Sequence, residues 1–144
     1  MENKQIGILH VEDDAVDAMV MERALKKLEM NYVLYQARNG LDALDMLRGT
    51  NGKEKIEPAP RIILLDINMP KMNGIEFLRE LRTDKELKPI SVFIMTTSND
   101  ERDRTDAFAL NVAGYMIKPI TLESYTTIVS TLNDFWQLTE FGNS

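Results

Sequence analysis

Arg61-Ile62-Ile63-Leu64-Leu65-Asp66 decides the fold of this 144-residue chain. Four aliphatic residues in a row show no alternation with polar ones, so both faces of the segment need cover. A strand covered on both faces sits inside a parallel sheet. An acid closes it. The same figure recurs outward in both directions. Ile6–Val11 reads as a strand, apolar but for His10, and runs into Glu12-Asp13-Asp14; Tyr32–Ala37, Ile90–Met95 and Ala113–Ile117 are three more. Segments with helical spacing lie between them. Residues 15–29 carry Val16, Val20, Leu25 and Leu28, and Asn39-Gly40 opens a helix with Leu41, Leu44 and Leu47 on one side. Gly74–Arg82 turns Ile75, Leu78 and Leu81 inward, Asp100–Leu110 follows, and Leu122–Leu138 sets Leu122, Tyr125, Val129, Leu132 and Trp136 at three- and four-residue steps. Gly49–Pro60, with two Gly, two Pro and four charges, reads as a long solvent loop.

Strand and helix thus alternate five times. A (βα)5 chain of this kind forms one parallel sheet with helices on both faces and right-handed crossovers. All strands point the same way, so the residues that end them gather along one edge, where such sheets bind ligands. Glu12-Asp13-Asp14, Asp66, Thr96-Thr97-Ser98 and Lys118 end four strands, whereas the second ends in Gln36-Ala37-Arg38 and offers nothing comparable. The second strand therefore belongs at the margin. The expected order is 2-1-3-4-5, a flavodoxin-like doubly wound sheet with its switch point between the Glu12/Asp13 and Asp66 strands.

Carboxylates converging at such an edge repel one another and resist ionisation unless something positive holds them. Lys118 supplies one charge, and a hard divalent cation would supply two. An all-oxygen site with open positions suits Mg2+ better than a caged Ca2+, and without soft ligands zinc and copper are disfavoured. An acidic pocket with a Lys and a hydroxyl suits a phosphoryl group, for which a carboxylate is a competent acceptor. Asp66, alone at its strand end, is the nucleophile candidate, and Glu12 with Asp13 the metal-holding pair.

At these residues the chain resembles the receiver domain of two-component response regulators. Val11-Glu12-Asp13-Asp14 resembles the acidic pair, and Leu65-Asp66-Ile67-Asn68-Met69-Pro70 with Gly74 the phosphoacceptor loop. Met95-Thr96-Thr97-Ser98 resembles the switch-hydroxyl segment, and Gly114-Tyr115-Met116-Ile117-Lys118-Pro119 the aromatic and Lys-Pro segment. Thr96 follows Asp66 by 30 residues and Lys118 by 52, as in that family. The loop at 49–60 and the Phe135-Trp136 ending resemble the small stand-alone regulators that serve bacterial phytochrome kinases.

The resemblance implies that Asp66 accepts phosphate from a sensor histidine kinase or phosphotransfer protein. It implies that Asp13, Asp66 and the Asn68 carbonyl bind Mg2+, Glu12 helping through water, and that Thr96 and Lys118 grip the phosphoryl group. It further implies a cis Lys118-Pro119 bond. Thr96 drawing inward would let Tyr115 turn from exposed to buried, altering the face of the fourth helix, fifth strand and fifth helix.

Composition agrees with this and removes other classes. Apolar residues make up 44% and charged ones 28%, so the chain is globular; 17 Lys+Arg against 23 Asp+Glu leave −6, with no general attraction to nucleic acid or anionic membrane. No Cys means no disulfide, thiolate zinc site or Cys nucleophile. No apolar run reaches the ~20 residues of a membrane span, and the N-terminus lacks a signal segment, so a cytoplasmic protein is expected. One domain over 1–144 is expected, its core about 5–138, with no effector domain and no enzymatic turnover of its own beyond self-catalysed phosphotransfer and dephosphorylation. Pairing of two copies through the final helix is a further expectation.

Each site residue also has a plainer reading. Asp14 reads as the cap of the first helix, and His10, the single His, as structural. A phosphatase of the haloacid-dehalogenase kind needs a second acid two residues after its nucleophile, where this chain has Asn68. A flavin or nucleotide module wants a Gly- or hydroxyl-rich loop where Glu12-Asp13-Asp14 stands. A phosphorylation-independent pseudo-receiver, acting as a scaffold, would lack one of the key residues, and none is missing.

Overall fold

The computed structural model describes residues 5–28, 31–118 and 121–138, with Phe135 and Trp136 described in backbone only. Elements run β1 (Ile6–Val11), α1 (Ala15–Lys27), β2 (Tyr32–Ala37), α2 (Gly40–Arg48), β3 (Ile62–Leu65), α3 (Gly74–Thr83), β4 (Ser91–Thr96), α4 (Glu101–Ala109), β5 (Gly114–Ile117) and α5 (Leu122–Leu138). The five strands form one sheet in the order β2-β1-β3-β4-β5, every pairing parallel, as the strand ends led us to expect. Among the described residues no helix is long and apolar enough to cross a membrane.

The aliphatic strands work because alternate residues feed opposite layers. Ile6, Ile8, Ile62 and Leu64 pack with Met21, Ala24 and Leu25 of α1 and Tyr125, Val129 and Leu132 of α5. Leu9, Val11, Ile63, Leu65, Val92 and Ile94 pack with Ala43, Leu44 and Leu47 of α2, Phe77, Leu78 and Leu81 of α3, and Ala107 of α4. His10 has the parity of Ile6 and Ile8. It is buried, and its Nδ1 has no hydrogen-bond partner among the described residues.

Caps set the helix starts. Asp14 accepts from the Val16 and Asp17 N–H groups, as its capping reading required, and Asn73 forms a reciprocal box with Glu76 on α3. The Arg82 guanidinium donates to the carbonyls of Leu110, Lys88, Ile90 and Asn111, tying the end of α3 to the loops before β4 and β5.

Several expectations are corrected. Leu41 is 46% exposed: α2 buries Gly40, Ala43, Leu44 and Leu47, and Leu41 lies about 100° around the helix from Gly40. Val16 is likewise exposed, because α1 turns Met21, Ala24 and Leu25 inward. The 49–60 loop is not all solvent. Ile56 is buried in the α2–α3 layer, and its N–H donates to the Met46 carbonyl. Helix α1 ends at Lys27 with Leu28 as its cap, and Asp100 and Leu110 cap α4 rather than belong to it. The Lys118-Pro119 bond, Glu29 and the Phe135 and Trp136 side chains lie outside what the structure describes.

Candidate functional site

Strands β1 and β3 are neighbours with Val11 opposite Leu65, so the residues just past them, Glu12 and Asp66, emerge side by side. The Asp66 N–H donates to the Val11 carbonyl at 3.1 Å. Lys118 arrives from the end of β5, where its N–H bonds the Thr96 carbonyl at 2.8 Å. The result is an open cleft of about 570 Å³ whose walls include Glu12, Asp13, Asp17, Asp66, Asn68, Thr97 and Lys118. One carboxylate oxygen each from Glu12, Asp13 and Asp66 lies within 4.8 Å of the others. Glu12 and Asp66 are buried and Asp13 is exposed, so the cluster is anchored at one end and open at the other.

Lys118 is the positive centre. Its Nζ donates to Glu12 Oε1 at 2.5 Å and to Asp17 Oδ2 at 2.7 Å, and stands 3.5 Å from Asp66 Oδ2. Burial opposes its charge, but the bonds to Asp17 and Glu12 more than compensate, so its pKa lies above the ordinary lysine value. Glu12 moves up to about 7, chiefly through burial and further through the Asp66 charge, with the Lys118 bond pulling the other way. Burial, helped by the Lys118 charge, pushes His10 behind the site down to about 4, with Asp66 opposing.

Around Asp66 the chain is tightly held. The Asn68 N–H donates to Asp66 Oδ1 at 3.2 Å, and its side-chain amide reaches Thr97 Oγ1 at 3.4 Å. The first residue of α3 must be glycine, because a Cβ on Gly74 would lie 2.5 Å from the Asp66 carbonyl oxygen and 2.7 Å from Ile67 Cα. Those neighbours are backbone and cannot rotate away.

Thr96 is fully buried, and its Oγ1 accepts the Ser98 N–H at 3.2 Å; Thr97 is the hydroxyl on the cleft wall. Tyr115 is half-buried one loop away. Its hydroxyl donates to the Ser98 carbonyl at 3.1 Å, the Arg104 guanidinium carbon stands 5.6 Å from its ring centre, and Phe108 lies beside it. The structure thus gathers Glu12, Asp13, Asp66, Asn68 and Lys118 in one cleft, and links Thr96 to Tyr115 through the Ser98 backbone.

Asp17 was not picked out from the sequence. Its signal was an acid in the first turn of the helix that opens directly after Glu12-Asp13-Asp14, at the strand end that carries the acidic pair. Five carboxylate residues line the cleft, Glu12, Asp13, Asp14, Asp17 and Asp66, and three of them, Glu12, Asp17 and Asp66, share the one ammonium. That oxygen-only set with surplus negative charge fits a hard divalent cation.

Comparison with known proteins converges on the same chemistry. The family model of the response regulator receiver domain matches residues 8–130. Response regulator Rcp1 of Synechocystis sp. is 35% identical over 129 residues, covering 90% of this chain and 87% of that protein. The crystal structure of its Mn(2+)-bound form aligns with a TM-score of 0.80 at 33% identity, covering 94% of this chain and 97% of that one. The phosphorylated cyanobacterial phytochrome response regulator RcpA aligns with a TM-score of 0.83 at 32% identity, covering 96% and 98%. Chemotaxis protein CheY-3 of Vibrio cholerae is 33% identical over 119 residues, 83% of this chain and 85% of that protein. The chain therefore belongs to the response regulator receiver domain family, signalling proteins that work through phosphorylation and meet histidine kinases or phosphotransfer proteins.

Proposed function

We propose that Asp66 is the phosphoacceptor, taking a phosphoryl group from a phosphohistidine on a sensor kinase or phosphotransfer protein in the cytoplasm. The observation that carries this reading is the grouping itself: a buried carboxylate at a strand end, with Glu12 and Asp13 oxygens within 4.8 Å and the Lys118 ammonium 3.5 Å away. In the step, an Asp66 carboxylate oxygen attacks phosphorus, the P–N bond to the donor imidazole breaks, and the leaving nitrogen keeps the electron pair. Hydrolysis reverses the loading: water attacks phosphorus, the P–O bond to Asp66 breaks, and inorganic phosphate leaves.

Asp13, Asp66 and the Asn68 carbonyl would hold Mg2+, with Glu12 assisting. The cation would offset the negative charge of the carboxylates and of the phosphoryl oxygens. Lys118 neutralises a second phosphoryl oxygen. The Thr96 hydroxyl, whose oxygen already accepts from Ser98, keeps its own proton to donate to a third. A Thr96 shift toward the phosphoryl group would pull on the Ser98 segment that holds the Tyr115 hydroxyl, and so reshape the α4–β5–α5 face.

Intact mass after incubation with acetyl phosphate tests this. One Mg2+-dependent phosphoryl adduct is expected on the wild type and none on Asp66→Asn. An equal adduct on both proteins would refute the assignment.

A further inference from the structure

We propose that Asp17 is a positioning residue: it holds the Lys118 ammonium on the β1–α1 side of the cleft and so weakens the grip of Lys118 on a phosphoryl group carried by Asp66. This rests on Asp66 being the acceptor. An ammonium has three donors. Two of them are engaged at close range by Glu12 Oε1 and Asp17 Oδ2, at 2.5 and 2.7 Å, while Asp66 Oδ2 is left at 3.5 Å.

The two close partners differ in what holds them. The Glu12 side chain is 2% exposed, whereas that of Asp17 is 31% exposed. Glu12 is part of the buried floor and needs Lys118 to offset its own charge. Asp17 sits at the mouth of the cleft, in the first turn of α1, where its backbone N–H is bound by the Asp14 cap and a negative charge suits the helix N-terminus. Asp17 is therefore the partner that can be neutralised without stranding a buried charge. A phosphoryl group on Asp66 brings new anionic oxygens that need a Lys118 donor, and every geometry that keeps the Asp17 bond withholds one. The carboxylate thus disfavours the loaded state relative to the empty one.

Beryllofluoride, a non-covalent stand-in for the phosphoryl group, tests this in the full chain at saturating Mg2+. Its dissociation constant would be read from the bound 19F NMR signal, and Mg2+ affinity measured separately without it. The bond removed is partly exposed, so both Asp17→Asn and Asp17→Ala are expected to tighten beryllofluoride binding by about three- to tenfold. Asp17→Glu, which restores the charge, is expected to stay within about twofold of wild type. A merely structural role would not sort the variants by charge. Wild type that binds, with Asp17→Asn and Asp17→Ala unchanged or weaker, or with Asp17→Glu as tight as they are, overturns the proposal while leaving the receiver reading intact. Wild type that fails to bind beryllofluoride overturns both.

Discussion

Replacing His10 by leucine should make the protein more stable, and the gain should grow as the solution is acidified. His10 is buried on β1 among the aliphatics that face α1 and α5, and its Nδ1 finds no partner among the described residues. An unsatisfied buried polar atom costs about 1–3 kcal/mol whatever the pH. A second, pH-dependent part follows from burial, the main cause that lowers the folded-state pKa from 6.5 to about 4. For a base with a depressed pKa, the stability is fully present above the unfolded value and is lost as pH falls toward the folded one. At pH 5 the unfolded chain already binds the proton and the native state does not, which costs about 2 kcal/mol relative to pH 8. A leucine side chain at this position carries neither cost. Urea unfolding followed by far-ultraviolet circular dichroism, in EDTA to keep divalent cations off the carboxylates, measures both. His10→Leu should exceed wild type by about 1–3 kcal/mol at pH 8 and by about 2 kcal/mol more at pH 5. The opposing contribution of Glu12, whose raised value returns stability as pH falls through about 7, is common to both proteins and cancels in the difference. Parallel stability profiles from pH 8 to 5 would refute the reasoning.

Other expectations follow from the same geometry. Gly74→Ala pushes a methyl against the Asp66 and Ile67 backbone and should lower stability by about 1–3 kcal/mol, a melting drop of about 3–10 °C, and slow phosphorylation by acetyl phosphate; unchanged melting and rate would mean that the loop yields freely. Arg82→Met strips a shared donor from the carbonyls of Leu110, Lys88, Ile90 and Asn111 and should cost about 2–4 kcal/mol in urea unfolding, whereas a loss under about half a kcal/mol would show these bonds to be replaceable by water. The proposed Mg2+ site exists only in the folded arrangement of Glu12, Asp13 and Asp66, so Mg2+ should raise the melting temperature at pH 8. Because Glu12 must give up a proton held up to about 7 chiefly by burial, calorimetric Mg2+ affinity should fall about tenfold from pH 8 to pH 6. A pH-independent affinity would remove Glu12 from the metal site.

The sheet and most of the site could be read from the chain alone, for a physical reason. Ile62–Leu65 is apolar on both faces and alternates, like the other strand segments, with amphipathic helices, a pattern that fits a covered parallel sheet, and parallel strands force their terminal residues to one edge. Glu12, Asp13, Asp66 and Lys118 are strand-end residues, so their meeting followed from topology before any side chain was placed. Tertiary structure decided whatever depends on rotation about a helix or on how a loop lies. Leu41 and Val16 have the right hydropathy for burial, but their helices turn Ala43, Leu44, Met21 and Ala24 to the core instead. Ile56 sits in a polar segment and is buried because the loop folds back onto α2. Asp17 is one acid among 23 Asp and Glu, marked by its turn on α1, and the packing of α1 beside α5 on one face of the sheet is what brings it 2.7 Å from Lys118. Hydropathy is carried by each residue separately, whereas the sharing of one ammonium among three carboxylates is a property of the assembled fold.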